Sequence, residues 1–193
     1  MEDFYTIQGE GHHQGRAAYF IRLGGCDVGC HWCDVKESWD IEAHPQVSVE
    51  DIVRKVKDAG ANISVITGGE PLMHDLHTLT SALHHEGIKT FIETSGAHHT
   101  SGKWDWICLS PKKFKPALEE FYDIANELKI IVYNRSDFKW AEEYAQRVNK
   151  DCKLFLQPEW SNTDIVTPMI VEYVKFHPQW RISIQTHKYM DIP

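Results

Sequence analysis

The chain has 193 residues, 42% hydrophobic and 25% charged, with a formal net charge of −8. That balance is of an ordinary globular protein with one sizeable core, and the length gives a single domain, 1–193. The negative charge argues against broad binding to nucleic acid or an anionic membrane, and no apolar run approaches the ~20 residues that span a bilayer.

The start, Met1-Glu2-Asp3-Phe4, lacks the basic-then-apolar pattern of a secretory signal, so cytoplasmic residence is expected. Ala17 to Leu23 (AAYFIRL) reads as a strand. Ser48 to Ala59 reads as a helix, with Val49, Ile52, Val53 and Val56 at helical spacing, Ser48 as N-cap, Asp51 in the capping-box position and Gly60 as the stop. Ile63 to Thr67 is a short buried strand. Leu76 to His85 has helical spacing and ends before Gly87. Ile88 to Glu93, Trp106 to Leu109, Leu128 to Tyr133, Lys153 to Leu156 and Arg181 to Gln185 read as strands, and Ser136 to Asn149 and Asp164 to His177 as helices.

Alternating strands and helices imply parallel strands joined by right-handed crossovers. Short apolar strands imply burial on both faces. About six such units are too few for a closed eight-unit barrel of ~250 residues. The expected fold is therefore α/β, a partial barrel or an open parallel sheet. Either one places its active site at the C-terminal ends of the strands.

Three of the five cysteines, Cys26, Cys30 and Cys33, fall within eight residues, directly after the first predicted strand. An odd count with such a cluster reads as a metal site, not a disulfide framework. Gly24, Gly25 and Gly29 give the loop its tight turns. Thiolates select zinc or iron–sulfur clusters. Three cysteines suit a 4Fe-4S cluster with one iron left open, whereas structural zinc wants four protein ligands. His31 or Asp34 can complete a zinc site, which keeps a non-enzymatic zinc module open as an alternative. Cys108 and Cys152 read as core thiols.

The cysteine spacing, with Trp32 just before the last one, resembles the signature of the radical S-adenosylmethionine superfamily. Thr67-Gly68-Gly69-Glu70-Pro71, after the next strand, resembles its Gly-Gly-Glu-Pro motif. The resemblance implies that Gly68, Gly69 and Glu70 receive the methionyl amine. It also implies that Trp32, Thr94, Ser95, Ser110, Lys112 and Gln157, at or near strand ends, line the rest of the cofactor. Taken singly, these later residues read equally as turn or capping chemistry.

Both ends of the chain narrow the resemblance. Phe4-Tyr5-Thr6-Ile7-Gln8-Gly9-Glu10-Gly11, Phe20-Ile21-Arg22-Leu23-Gly24-Gly25-Cys26 and Ser183-Ile184-Gln185-Thr186-His187-Lys188 with Ile192-Pro193 are similar to the 7-carboxy-7-deazaguanine synthase family of queuosine biosynthesis. This implies a truncated, modified (β/α) barrel, a homodimer and an external one-electron donor, flavodoxin-like or ferredoxin-like. It also implies a ring contraction of 6-carboxy-5,6,7,8-tetrahydropterin, with Gln8, Glu10, Gly11, Arg22, His187 and Pro193 at the substrate. Mg²⁺ near Asp34 is implied too. Relatives commonly carry Thr or Ser after that aspartate, and here Val35 offers no oxygen, so weakened Mg²⁺ dependence is expected. Another radical enzyme, such as a glycyl-radical activase, is the alternative within the superfamily.

Overall fold

The structure, a computed structural model, describes residues 1–193. Eight strands form one sheet whose spatial order is the chain order. β1 (Glu2–Ile7) is antiparallel to β2 (Ala17–Leu23). All later neighbours are parallel, through β3 (Ile63–Gly68), β4 (Lys89–Thr94), β5 (Trp106–Leu109), β6 (Glu127–Val132), β7 (Lys153–Pro158) and β8 (Trp180–Ile182). β1 and β8 are edges, so the sheet is not closed. The expected α/β partial barrel is what the chain forms. No helix is long and apolar enough to cross a membrane.

The helices are α1 (Val49–Asp58), α2 (His77–His85), α3 (Glu120–Ile124), α4 (Asp137–Ala145), α5 (Thr163–Phe176) and α6 (Thr186–Met190). Ser48 caps α1 by accepting the Asp51 N–H at 3.1 Å, and Gly60 ends that turn at φ 68°. This is the start and stop the sequence predicts.

Strand alternation divides the core between two faces. Tyr19, Ile21, Ile66, Ile92, Leu128, Ile130 and Leu156 belong to the large cluster that includes Val166 and Ile170 of α5. Each fully buried Ile or Leu there contributes roughly 1.5–3 kcal/mol. Ala18, Val65 and Phe91, with Phe20 and Trp106 against them, form a small separate cluster on the other face. Further along that inner face stand polar residues, among them Arg22, Lys129 and Gln157.

The short helices α3 and α6 were not expected, and three further elements differ from expectation. β1 is a half-exposed edge strand, so its sequence lacks the buried apolar run that marks the others. β8 ends at Ile182 instead of Gln185. The Ser183 N–H still reaches the Leu156 carbonyl, and the chain then turns so that the Thr186 N–H reaches the Gly9 carbonyl. α4 ends at Ala145, and the predicted end residue Asn149 instead gives its N–H to the Tyr122 carbonyl.

Candidate active site

A cavity of about 540 Å³ opens at the C-terminal ends of the strands. That is within the range of small-molecule sites. The three clustered cysteines line one wall, together with Trp32, Gly68, Gly69, Glu70, Thr94, Ser95, Ser110, Lys112 and Gln157. Gln8, Glu10, Arg22, His187 and Pro193 line another part. One space therefore gathers residues from position 8 to position 193.

The cysteine loop is fixed from three sides. The Gly25 N–H donates to the Ser38 carbonyl at 2.6 Å, and the Glu70 N–H to the Gly25 carbonyl at 2.9 Å. Asp27 pairs with His98 at 3.0 Å and with Lys115 at 2.6 Å, which ties the loop to the far strands. Gly25 and Gly29 have φ values of 101° and 73°, left-handed geometry that favours glycine. All five cysteines are free. Burial pushes the Cys26 and Cys30 thiols up, and each of the three thiols lies close enough to affect another's charge. Three adjacent soft donors on a glycine-rich loop fit an iron–sulfur cluster that takes three protein thiolates, whereas structural zinc wants four protein ligands. Cys108 and Cys152 are buried, as expected, and burial pushes Cys152 up to about 12.

The Gly-Gly-Glu segment is pressed against this loop. Leu23 faces Gly68 in the β2–β3 register, and the Gly69 N–H donates to the Leu23 carbonyl at 2.9 Å. A Cβ on Gly69 would lie 2.1 Å from the Gly25 oxygen. Glu70 is 2% exposed, and its carboxylate accepts from the Leu72 N–H, the Thr94 hydroxyl and both the N–H and hydroxyl of Ser95. Its first role here is to hold β4's end to β3's end. The Ser183 hydroxyl donates to the Gln157 side-chain amide oxygen Oε1 at 2.6 Å. The Lys112 ammonium donates to the Ser110 carbonyl and, at 2.8 Å, to its hydroxyl, and it lies 5.8 Å from the Trp32 ring centroid.

At the other end, Gln8 donates to Glu93 at 2.9 Å and accepts from the Glu10 N–H at 3.0 Å. Lys129 bridges Glu10 and Glu93, and Gln185 donates to Glu10 at 2.8 Å. Lys129 escaped the sequence reading as a site residue, while Glu93, beside Thr94 and Ser95, and Gln185, beside His187, stood in it only as parts of strand-end motifs. Burial opposes ionisation of Glu10, but the charge and hydrogen bond of Lys129 outweigh it and hold the carboxyl at about 2, against an ordinary 4.5. A pKa lowered by folding gives stability that is present above the ordinary value and lost as pH falls through the lowered one. Stability is therefore expected to fall more steeply between pH 4.5 and about pH 2 in the native chain than in Glu10→Gln. Denaturant titrations across that range test this, and parallel curves for the two proteins would contradict it. Burial also lowers His187, which favours the neutral ring with one donor and one acceptor.

Gly11 and Asp34 each have a protein partner of their own. Gly11 does not line the cavity. Its N–H donates to the Ser183 hydroxyl at 2.9 Å, and a Cβ there, at φ +65°, would lie 2.0 Å from Glu127 Oε1. Glycine is needed for that packing. Asp34 does line the cavity, but it is ion-paired with Lys188 at 2.8 Å. Val35 beside it offers no side-chain oxygen. Arg22 faces the cavity on the same side of β2 as Phe20, and it pairs with Glu2 at 2.7 Å.

Residues 20–151 match the Radical SAM superfamily, so a partial barrel with this cysteine loop is a radical S-adenosylmethionine protein. The superfamily implies a 4Fe-4S cluster and S-adenosylmethionine. Over 193 residues the chain is 58% identical to the 7-carboxy-7-deazaguanine synthase of Flavobacterium psychrophilum, covering all of this chain and 91% of that one. It is 47% identical to the synthase of the same name from Synechocystis sp., covering 99% and 91% of the two chains. The crystal structure of QueE from Escherichia coli superposes with a TM-score of 0.83 at 34% identity, over 95% of this chain and 92% of that one. The chain belongs to the 7-carboxy-7-deazaguanine synthase family.

Proposed function

We infer that the protein is a 7-carboxy-7-deazaguanine synthase. It contracts 6-carboxy-5,6,7,8-tetrahydropterin to 7-carboxy-7-deazaguanine with loss of ammonia, on the route to queuosine and related deazapurines. The observation that carries this reading is one cavity with three thiols on one wall and a carboxylate–amide–guanidinium set on another. When bound, the cluster and S-adenosylmethionine would supply the radical chemistry that starts the rearrangement at C6 of the substrate.

The chain's own residues bind and orient. Cys26, Cys30 and Cys33 would hold the cluster, three ligands for four irons, with one iron left for the cofactor. The backbone at Gly68 and Gly69, held by Glu70, receives the methionyl amine. Trp32, Thr94, Ser95, Ser110, Lys112 and Gln157 surround the rest of the cofactor. Gln8 and Glu10 read the donors and acceptors of the pterin edge. Arg22 pairs with the substrate carboxylate through N–H groups that Glu2 leaves free. His187 and Pro193 close that end, and Gly11 backs it. The same reading carries a single domain over 1–193, cytoplasmic residence, a homodimer, and an external one-electron donor, flavodoxin-like or ferredoxin-like. Family likeness supports the donor and the dimer.

Mg²⁺ has a small part in this reading. Val35 has no oxygen, and Lys188 already neutralises Asp34. Adding Mg²⁺ is expected to raise kcat/KM less than in relatives with a hydroxyl residue after the aspartate. Complete dependence on the ion, in a titration against chelator-treated enzyme, would overturn that.

The reading is tested by an anaerobic assay on cluster-reconstituted protein with the tetrahydropterin, S-adenosylmethionine and a strong reductant. Mass spectrometry is expected to detect 7-carboxy-7-deazaguanine. Cofactor cleavage to 5′-deoxyadenosine without that product would keep the superfamily chemistry and reject the substrate.

A further inference from the structure

Lys129 has no part in the reaction as described, yet it is among the most deeply buried charges in the molecule, at 3% exposure. It stands mid-strand in β6, on the cavity side, with the helix-facing positions taken by Leu128 and Ile130. A buried ammonium is costly unless paired. Here it has two partners from different segments. Glu10 comes from the loop after β1, and Glu93 from β4 at 2.9 Å.

Two carboxylates and one ammonium leave one negative charge uncompensated. The hydrogen bonds say where it can be used. Glu10 takes Gln185 on Oε1 and Lys129 on Oε2. Glu93 takes Gln8 on Oε1 and Lys129 on Oε2. Each oxygen thus has one protein donor, whereas a carboxylate accepts about four hydrogen bonds in all. Both carboxylates line the cavity, so their unused lone pairs are available to a ligand there.

We propose that Lys129 is a positioning residue that holds Glu10 and Glu93 side by side as paired acceptors, and that the pair selects ligands presenting a row of N–H donors. This rests on the substrate assignment above, whose 2-amino-pyrimidinone edge is such a row. A ligand with an oxygen in place of the amino group would meet lone pairs with lone pairs. A site built around buried hydrogen-bonding groups discriminates strongly against a mismatched analogue.

The other charged or titratable groups facing the trio are Glu127 on β6, Cys108 on β5, Lys112 beyond it and His187 on α6. Glu127 is occupied by the His12 N–H and the Trp106 indole. None of them supplies a replacement cation between the two carboxylates. Without Lys129, two buried like charges lie together, and each raises the other's pKa.

The test compares the native enzyme with Lys129→Met and with Lys129→Met/Glu93→Gln, which restores the formal charge of the trio and so folds more readily. In the folded variants KM for the tetrahydropterin is expected to rise about tenfold or more, a loss of about 1.4 kcal/mol. S-adenosylmethionine affinity is expected to stay unchanged. Substrate affinity in Lys129→Met is expected to weaken as pH is lowered through the mildly acidic range, where the native enzyme stays flat. Preference for a pterin over the corresponding 2-oxo analogue is expected to shrink in both variants. Folded variants with native KM, a flat pH profile and intact discrimination would overturn the role of Lys129. A native enzyme that does not turn over the tetrahydropterin at all would instead reject the proposed function, and this role with it.

Discussion

Cys30→Ala is expected to abolish cofactor cleavage and product formation together. Cys30 is the most buried of the three loop thiols and stands between the other two in sequence. Two thiolates cannot supply three irons, and no spare cysteine is at hand. Cys108 and Cys152 lie in or beside β5 and β7, well away from the loop in sequence. The fold should survive, because one sulfur in a loop adds little to a core built from strand and helix residues. Iron content and visible absorbance after reconstitution, with 5′-deoxyadenosine measured by mass spectrometry, separate the outcomes. A variant that keeps full iron content and cleaves the cofactor at the native rate would place the cluster on other ligands.

Gly68→Ala is expected to have the next largest effect, through backbone alone. Gly68 has φ 120°, where an L-residue is strained, and a Cβ would lie 2.3 Å from both the N and the O of Leu23. Backbone atoms of a paired strand cannot swing aside as a side-chain tip does. Strain and overpacking together are expected to cost about 3 kcal/mol or more. Any relaxation must move β3's end away from β2's end, and with it the Gly69 and Glu70 bonds that hold the cysteine loop. A displacement of about 1 Å at a reacting centre can cost about a hundredfold in rate. Gly87→Ala is the control. It shares positive φ, at 73°, but its added methyl meets nothing within 4 Å and it lies outside the cavity, so only the strain applies. Thermal melts and activity that rank the two substitutions equally would show that close packing at Gly68 is not what the glycine provides.

The parallel strands were legible because each is a short apolar run. Ala17–Leu23 and Trp106–Leu109 end where the sequence predicts. The cysteine loop and the Gly-Gly-Glu segment were legible as local patterns at predicted strand ends. The Glu10–Lys129–Glu93 trio was not, because its members are 119 and 36 residues apart and meet only once strand order is known. One signal was present: a lysine within the apolar run Leu128 to Tyr133, a strand read as buried on both faces, demands a partner. The packing of Gly11 was illegible for the opposite reason. It lies inside a motif of ligand-facing residues, and its positive φ and contact with Glu127 appear only in three dimensions. Ser95 shows a third limit. Its hydroxyl suggests a ligand contact, yet it is already bonded to Glu70 at 2.5 Å.

The unclosed sheet gives the molecule a seam. Every other boundary between neighbouring strands is a ladder of backbone bonds, whereas between β8 and the segment after β1 the chain relies on a handful of stitches. The Thr186 N–H and hydroxyl both reach the Gly9 carbonyl, Gly11 reaches Ser183, and Gln185 reaches Glu10. Each stitch adds about 0.5–1.5 kcal/mol. Unzipping them costs far less than global unfolding and breaks no strand pair, so the molecule breathes most cheaply along this line. Glu10 and His187, the ligand contacts of the proposed function, sit on opposite lips of the same seam. On that reading, occupancy of the cavity is expected to act as a clasp, with product release coupled to a boundary that parts without disturbing the wall that carries the three thiols.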